Sequence, residues 1–177
     1  MTFFLQDVLD SRTASTPGRG SKFAPETGAR DLGVQALAQG AVMAHWLVKS
    51  EPASWSWEAH AEAGVDAWTG VRNFQARRHL EAMQPGDEVL FYHSGEARAV
   101  VGVSEVVRAA YPDPTDASGG FLAVDLTAKS PLARPVSLAE IKARPDLEQM
   151  VLVRNSRLSV QPVTKQEWAK IIGMAGT

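Results

Sequence analysis

GDEVLFYHSGEARAVVGVSEVVRAA (86–110) is the stretch on which the fold turns. Glu88–Ser94 and Ala97–Ala109 are two β-rich runs, the first with Phe91 and Tyr92 and the second rich in valine, and the residues between them include a glycine. Such a pattern predicts a hairpin over Ser94–Glu96, turning at Gly95. Strand alternation puts His93 on the side of Phe91 and Val89, and Ser94 on the side of Tyr92 and Leu90. Tyr92-His93-Ser94 therefore fails as a nucleophile–base dyad, because adjacent strand positions diverge and such a pair must converge.

Working upstream, Pro85 and Gly86 stop a helix expected over Asn73–Met83, whose Ala76, Leu80 and Met83 share one face. Ser54–Ala63 reads as a second, acidic helix ended by Gly64. His45–Lys49 is a short apolar strand. Downstream, Tyr111–Gly120 is a loop and Phe121–Ala128 a third alternating strand. Ser137 with Glu140 and Thr164 with Glu167 form capping boxes, so these four residues are helix punctuation. The expected class is α+β, with a mixed, mainly antiparallel sheet and peripheral helices.

The first 42 of the 177 residues differ in kind. They carry five glycines, Pro17, Pro25, a Ser/Thr-rich run from Ser11 to Thr16 and charges that cancel. Residues 1–42 are expected to be a largely disordered extension with a short helix at its end, and 43–177 one compact domain. Met43 is a candidate start of the native chain. MTFFLQDVL lacks the basic opening of a secretory signal. Leu32 to Val48 runs 17 residues without a charge, near the lower limit for a membrane span. Its Gln35, Gln39, His45, two glycines and strand-like end argue against that, so no membrane partner is expected.

Hydrophobic residues at 45% and charged residues at 21% are ordinary globular usage. The count of cysteines is 0, which removes disulfide scaffolds, thiol catalysis and Cys-ligated zinc, and fits a reducing cytoplasm. A net charge of −2 excludes a long grip on phosphate backbone; any contact with nucleic acid must be local. The histidines at 45, 60, 79 and 93 form no HExxH and no i, i+4 pair, so no metal and no cofactor are expected. GxSxG, GKT/GKS and GxGxxG are absent, which leaves hydrolase, P-loop and dinucleotide readings unsupported.

The compact part holds all five tryptophans and both tyrosines. Trp46, in an apolar strand, and Trp168, beside Ile171 and Ile172, read as core. Trp68 differs, being followed by Thr69-Gly70-Val71-Arg72-Asn73. An aromatic wall, a permissive glycine and the start of a helix suit stacking and edge recognition of a flat polar ring. VRNFQARRH (71–79) carries three arginines and no acid. Asn73 and Arg77 share a side of the helix, while Arg78 reads as a solvated face. For Arg72 and Asn73, phosphate or base contact and local capping both stay open. Lys49-Ser50-Glu51-Pro52 ends the first strand, and Pro52 forces the chain out of the sheet there, making a lip with free backbone groups.

HWLVKSEP (45–52), WTGVRNFQARRHL (68–80), GDEVLFYHS (86–94), VVGVSEVV (100–107), AYPDPT (110–115) and RLSVQPVTKQEW (157–168), in that order, resemble the EVE-domain family. The resemblance runs from about His45 to Met174 and implies a PUA-like barrel of mixed sheet with peripheral helices. It also implies a non-enzymatic module related to YTH domains that reads a modified base, modified cytosine or methylated adenine, in DNA or RNA, inside an aromatic cage. By motif, Trp68 is then the cage wall and Lys49, Ser50 and Glu51 the lip. Gly70, Val71, Arg72, Asn73 and Arg77 match WxGVRNxxAR. Tyr92, His93 and Ser94 match the FYHS strand end, Tyr111 and Asp113 the YPDP loop, and Ser159 and Gln161 RLSVQP. Phe74 stands where the family commonly has Tyr, Arg78-His79 where it has Asn, and His45 where it has an aromatic.

The partners implied are DNA or RNA carrying a modified base, with restriction or methylation proteins encoded nearby as further candidates. The location implied is cytoplasmic, nucleoid-associated in a bacterium. Two alternatives accompany this reading. One is a hydrolase of modified nucleobases or nucleosides using Lys49 and Glu51 as base and acid; the other is a general RNA-binding accessory domain.

Overall fold

The structure, a computed structural model, describes residues 43–176. The extension expected over 1–42 lies outside the described residues, as does the 32–42 part of the uncharged run. The remainder of that run leads into β1 (His45–Ser50), and among the described residues no helix is long and apolar enough to cross a membrane.

The other strands are β2 (Val65–Trp68), β3 (Glu88–His93), β4 (Ala99–Pro112), β5 (Leu122–Ser137) and β6 (Val160–Val163). They form one sheet in the order β2-β5-β4-β3-β1-β6. Only β1 with β3 is parallel; the other four pairings are antiparallel. The helices are α1 (Trp57–Ala63), α2 (Phe74–Ala82), α3 (Leu138–Lys142), α4 (Val151–Arg154) and α5 (Lys165–Ala175). The implied barrel is not closed by hydrogen bonds: among the described residues β2 and β6 remain edges.

Strand alternation splits the interior into two apolar layers. Trp46, Val48, Val89 and Phe91 face one side with Trp57, Trp68 and the Ala76-Leu80-Met83 stripe of α2. Leu47, Leu90 and Tyr92 face the other with Ile141, Leu152 and Ile171. The buried carboxylate of Asp87 ties the start of β1 to the turn before β3. It accepts from the Ala44 N–H at 3.0 Å, the Trp46 indole at 2.8 Å and the Gln84 N–H at 2.9 Å.

Several boundaries differ from expectation. The hairpin loop runs from 94 to 98, because both Gly95 and Arg98 adopt positive φ, at 67° and 41°, and the Arg98 carbonyl is taken by the Leu138 N–H. β5 continues well past Ala128 through Pro131 and Pro135. Irregular pairing with β4, in which Gly102 meets Pro131 and Val100 meets Val136, accommodates residues that would break a regular ladder. β2 and β6, four residues each, are too short to show a period; β6 tolerates Pro162 because it is an edge. Both capping boxes are present. Trp46 is core, while Trp168 is only partly buried, against His45.

Candidate functional site

Where β1 ends, the chain curls. The Glu51 carbonyl accepts from the N–H groups of Ser54 and Trp55 at 2.9 and 2.8 Å, and the Ser50 hydroxyl donates to the Trp55 carbonyl at 2.6 Å. This is the lip expected from Pro52, and it brings Ser54 and Trp55 over the end of the sheet. Facing it, β2 delivers Asp66, Ala67 and Trp68, after which the chain turns at Gly70 with φ 77°. Only glycine holds that conformation cheaply. Between lip and turn lies a cavity of about 470 Å³, within the range of small-molecule sites.

Trp68 is 8% exposed. Its indole stands nearly perpendicular to the Phe91 ring, with centroids 5.6 Å apart at 84°, and Trp68 is also among the residues that line the cavity. The residue is thus both core and pocket wall. The turn beyond it is held by Asp113, which is 3% exposed and accepts from the Gly70 N–H at 2.9 Å and from Arg72 at 2.6 Å. It also accepts from the Thr115 N–H and hydroxyl, and Arg72 reaches that hydroxyl at 2.9 Å. Burial alone would raise the Asp113 pKa, but the hydrogen bonds from Arg72, Thr115 and Gly70 outweigh it and hold the carboxyl well below the usual range.

Of the residues singled out by sequence, Lys49, Ser50, Glu51, Trp68, Gly70, Val71, Arg72 and Ser159 line this one cavity. Lys49 also borders a smaller hollow of about 190 Å³ with Tyr92 and Ser94. Its ammonium donates to the Ser156 carbonyl at 2.9 Å and stands 5.6 Å from the Tyr92 ring, and burial lowers its pKa. Glu51 lies past the end of β1, so the strand spacing that would put it on a common face with Lys49 does not apply.

The other candidates serve elsewhere. Asn73 caps α2: its side-chain oxygen accepts from the N–H groups of Gln75 and Ala76 at 2.9 and 3.0 Å, so of the two roles left open for it the structure shows capping. Arg77 sits on α2 outside the cavity lining. His93 accepts the Trp57 N–H at 3.0 Å, tying α1 to the sheet. The Ser94 hydroxyl donates to the Ser50 carbonyl at 3.1 Å, bracing the lip from behind. Tyr92 belongs to the opposite apolar layer. Tyr111 donates to Asp125 at 2.5 Å beneath Arg108; burial and that bond push its phenol up to about 12. Asp113 supports the turn without lining the cavity. Gln161 is fully buried and donates to the Leu158 carbonyl at 2.9 Å.

Sequence reasoning missed Ser54, Trp55, Asp66, Ala67 and Thr69, all of which line the cavity. Trp55 was within reach: a tryptophan three residues after the strand-breaking Pro52 sits on the lip itself. Its indole N–H is buried without a partner among the described residues.

Comparison with known proteins agrees with this architecture. The family model described as EVE domain matches residues 44–174. Human thymocyte nuclear protein 1 is 32% identical over 169 residues, covering 73% of each chain. The solution structure of Rpa0253 from Rhodopseudomonas palustris is 53% identical, with a TM-score of 0.72 over 76% of this chain and 94% of that one. A crystal structure of the human thymocyte protein in complex with DNA containing 5-methylcytosine is 30% identical, with a TM-score of 0.67 over 76% of this chain and 98% of that one. The PUA-like α+β fold is shared with these structures, and the chain belongs to the EVE-domain family.

Proposed function

We propose that this chain is a non-enzymatic reader of a modified base in DNA, modified cytosine foremost, and that it takes the base singly into the cavity against Trp68. The observation that carries the reading is the cavity itself. Trp68, its indole nearly perpendicular to Phe91, lines one side, and Arg72, Thr69, Ser54 and the glycine turn at Gly70 line the cavity with it. The human relative bound to 5-methylcytosine DNA supports the same class of ligand. Extruding a base costs a few kcal/mol, and stacking on an aromatic returns ~1–3 kcal/mol. With a net charge of −2, backbone attraction adds little. Binding is therefore expected to be weak to unmodified duplex, stronger where a modified base leaves the stack, and only modestly salt-dependent. The place of action that goes with this reading is the cytoplasm, at the nucleoid in a bacterium.

The test is fluorescence anisotropy with oligonucleotides that differ only in 5-methylcytosine against cytosine, using wild type, Trp68→Phe and Trp68→Ala. Trp68→Phe keeps an apolar ring in the core and is expected to lose part of the preference for the modified strand. Trp68→Ala is expected to lose the rest. Equal affinities for both strands in wild type would refute the reading.

A second reading has one observation in its favour: Lys49, with its pKa lowered by burial, and Glu51 line the same cavity. Incubation with modified nucleosides followed by mass analysis would reveal hydrolysis. No turnover by wild type, or turnover unchanged in Lys49→Met, removes that reading.

A further inference from the structure

Phe74, the first residue of α2, is 70% exposed, more than any other large apolar side chain among the described residues. Its ring lies beside that of Phe121, with centroids 5.2 Å apart and planes tilted by only 31°. Phe121 in turn carries the Arg72 guanidinium 5.4 Å from its centroid. Arg72 is the residue that Asp113 and Thr115 fix at the cavity rim. A continuous strip thus leads from the pocket, across a clamped guanidinium, onto two adjacent phenyl rings. Arg78 follows Phe74 at i, i+4, on the same side of α2, and is itself exposed.

We propose that Phe74 and Phe121 form a second nucleobase-binding surface, on which DNA stacks the base adjacent to the one held in the cavity, with Arg78 meeting the strand's phosphate beyond it. The inference rests on the proposed reading of the cavity and adds a separate subsite. Size selects the occupant. Two rings fall far short of the roughly 800 Å² per partner that a stable protein interface needs, whereas the one widely exposed ring, Phe74 backed by Phe121, offers an aromatic face on the scale of a single base. Charge enters through the exposed Arg78 guanidinium, Arg72 being already paired with Asp113 at 2.6 Å; a DNA strand carries a phosphate beside each base. Phenylalanine also has no polar tip to orient, so the surface would stack any base and read none, as a platform beside a selective pocket should.

The experiment places 2-aminopurine next to 5-methylcytosine, or next to cytosine, in a short single strand. Wild type, Phe74→Ala, Phe74→Leu and Phe74→Tyr are titrated, and the free modified nucleoside is measured in parallel. Wild type should quench the neighbouring probe, and Phe74→Tyr should retain the quenching. Phe74→Ala and Phe74→Leu should lose it and bind the oligonucleotide about 5- to 150-fold more weakly, the range of one base–aromatic stack. Both should hold the free nucleoside as wild type does, since it brings no neighbouring base.

Wild-type behaviour of Phe74→Leu would overturn the proposal, because greasy contact would then suffice. Equal weakening toward nucleoside and oligonucleotide would also overturn it, because Phe74 would then act on the fold of the rim. If quenching depends on Phe74 but is the same beside cytosine and 5-methylcytosine, the platform stands and the modified-base reading falls. If the preference for 5-methylcytosine persists while the Phe74 variants change nothing, the platform falls and the reading stands. Failure of wild type to bind either strand overturns both.

Discussion

Replacing Asp113 with alanine removes the acceptor at which the Trp68–Arg72 turn is fastened to the loop that follows β4. Four hydrogen bonds of 2.6–2.9 Å are lost at once. They are not equal in worth. The Asp113 side chain is fully buried, but that of Arg72 is 38% exposed, so the guanidinium recovers water and its ion pair counts for little. Thr115 is exposed and recovers water as well. The Gly70 N–H is partly buried, and an orphaned donor there costs about 1–3 kcal/mol. With the remaining charge-assisted bonds discounted for exposure, the total is about 2–4 kcal/mol, or roughly 6–20 °C in melting temperature for a domain of this size.

The pH dependence supplies a second check. Asp113 titrates lower in the folded state than in the unfolded one, so its stabilisation is complete above the unfolded value of about 3.9 and is lost as pH falls through the folded value. Thermal melts of wild type and Asp113→Ala should therefore stay separated from pH 7 to pH 5 and approach each other only in stronger acid. The same variant should weaken binding of 5-methylcytosine DNA, because the glycine turn at the cavity is released. A melting difference under about 1 °C at pH 7, or curves that already meet by pH 5, would refute the reasoning. A double-mutant cycle with Arg72→Ala should give a coupling near the lower end of ~0.5–3 kcal/mol, reflecting the exposed guanidinium.

Two further outcomes are expected. Gly102, buried on β4, has the six-membered ring of Trp57 where a Cβ would project, closer than atoms can approach; Gly102→Ala should cost about 1–3 kcal/mol in urea denaturation, and an unchanged midpoint would contradict the packing. His60 is fully buried, stacks on Phe91 at 5.1 Å and shares a hydrogen bond with Ser104 at 3.0 Å. Burial lowers its pKa, against an opposing pull from Asp66, so the folded state binds the proton less readily than the unfolded one. Stability should fall as pH drops below about 6.5, and His60→Gln should flatten part of that slope. His79 and His93, also lowered by burial, keep the remainder. A wild-type melting temperature that holds or rises from pH 7 to pH 5 would exclude this account.

The sequence by itself determined whatever local spacing controls. The 86–110 run announced its hairpin, the Ala76-Leu80-Met83 stripe its buried face, and two capping boxes the starts of α3 and α5. Pro52 announced that β1 must leave the sheet and form a lip. Six collinear blocks identified the family. Tertiary structure alone decided that Ser54, Trp55, Asp66 and Ala67 complete the cavity, because β2 and β6 are too short to show a period and are made strands by their partners, β5 and β1. Asn73 and Arg72 illustrate the limit best. They are neighbours in one polar run, yet one spends its side chain on its own helix and the other reaches across to Asp113, 41 positions away. Capping is settled within one turn of chain, whereas a partner that distant exists only after the sheet has brought the two loops together.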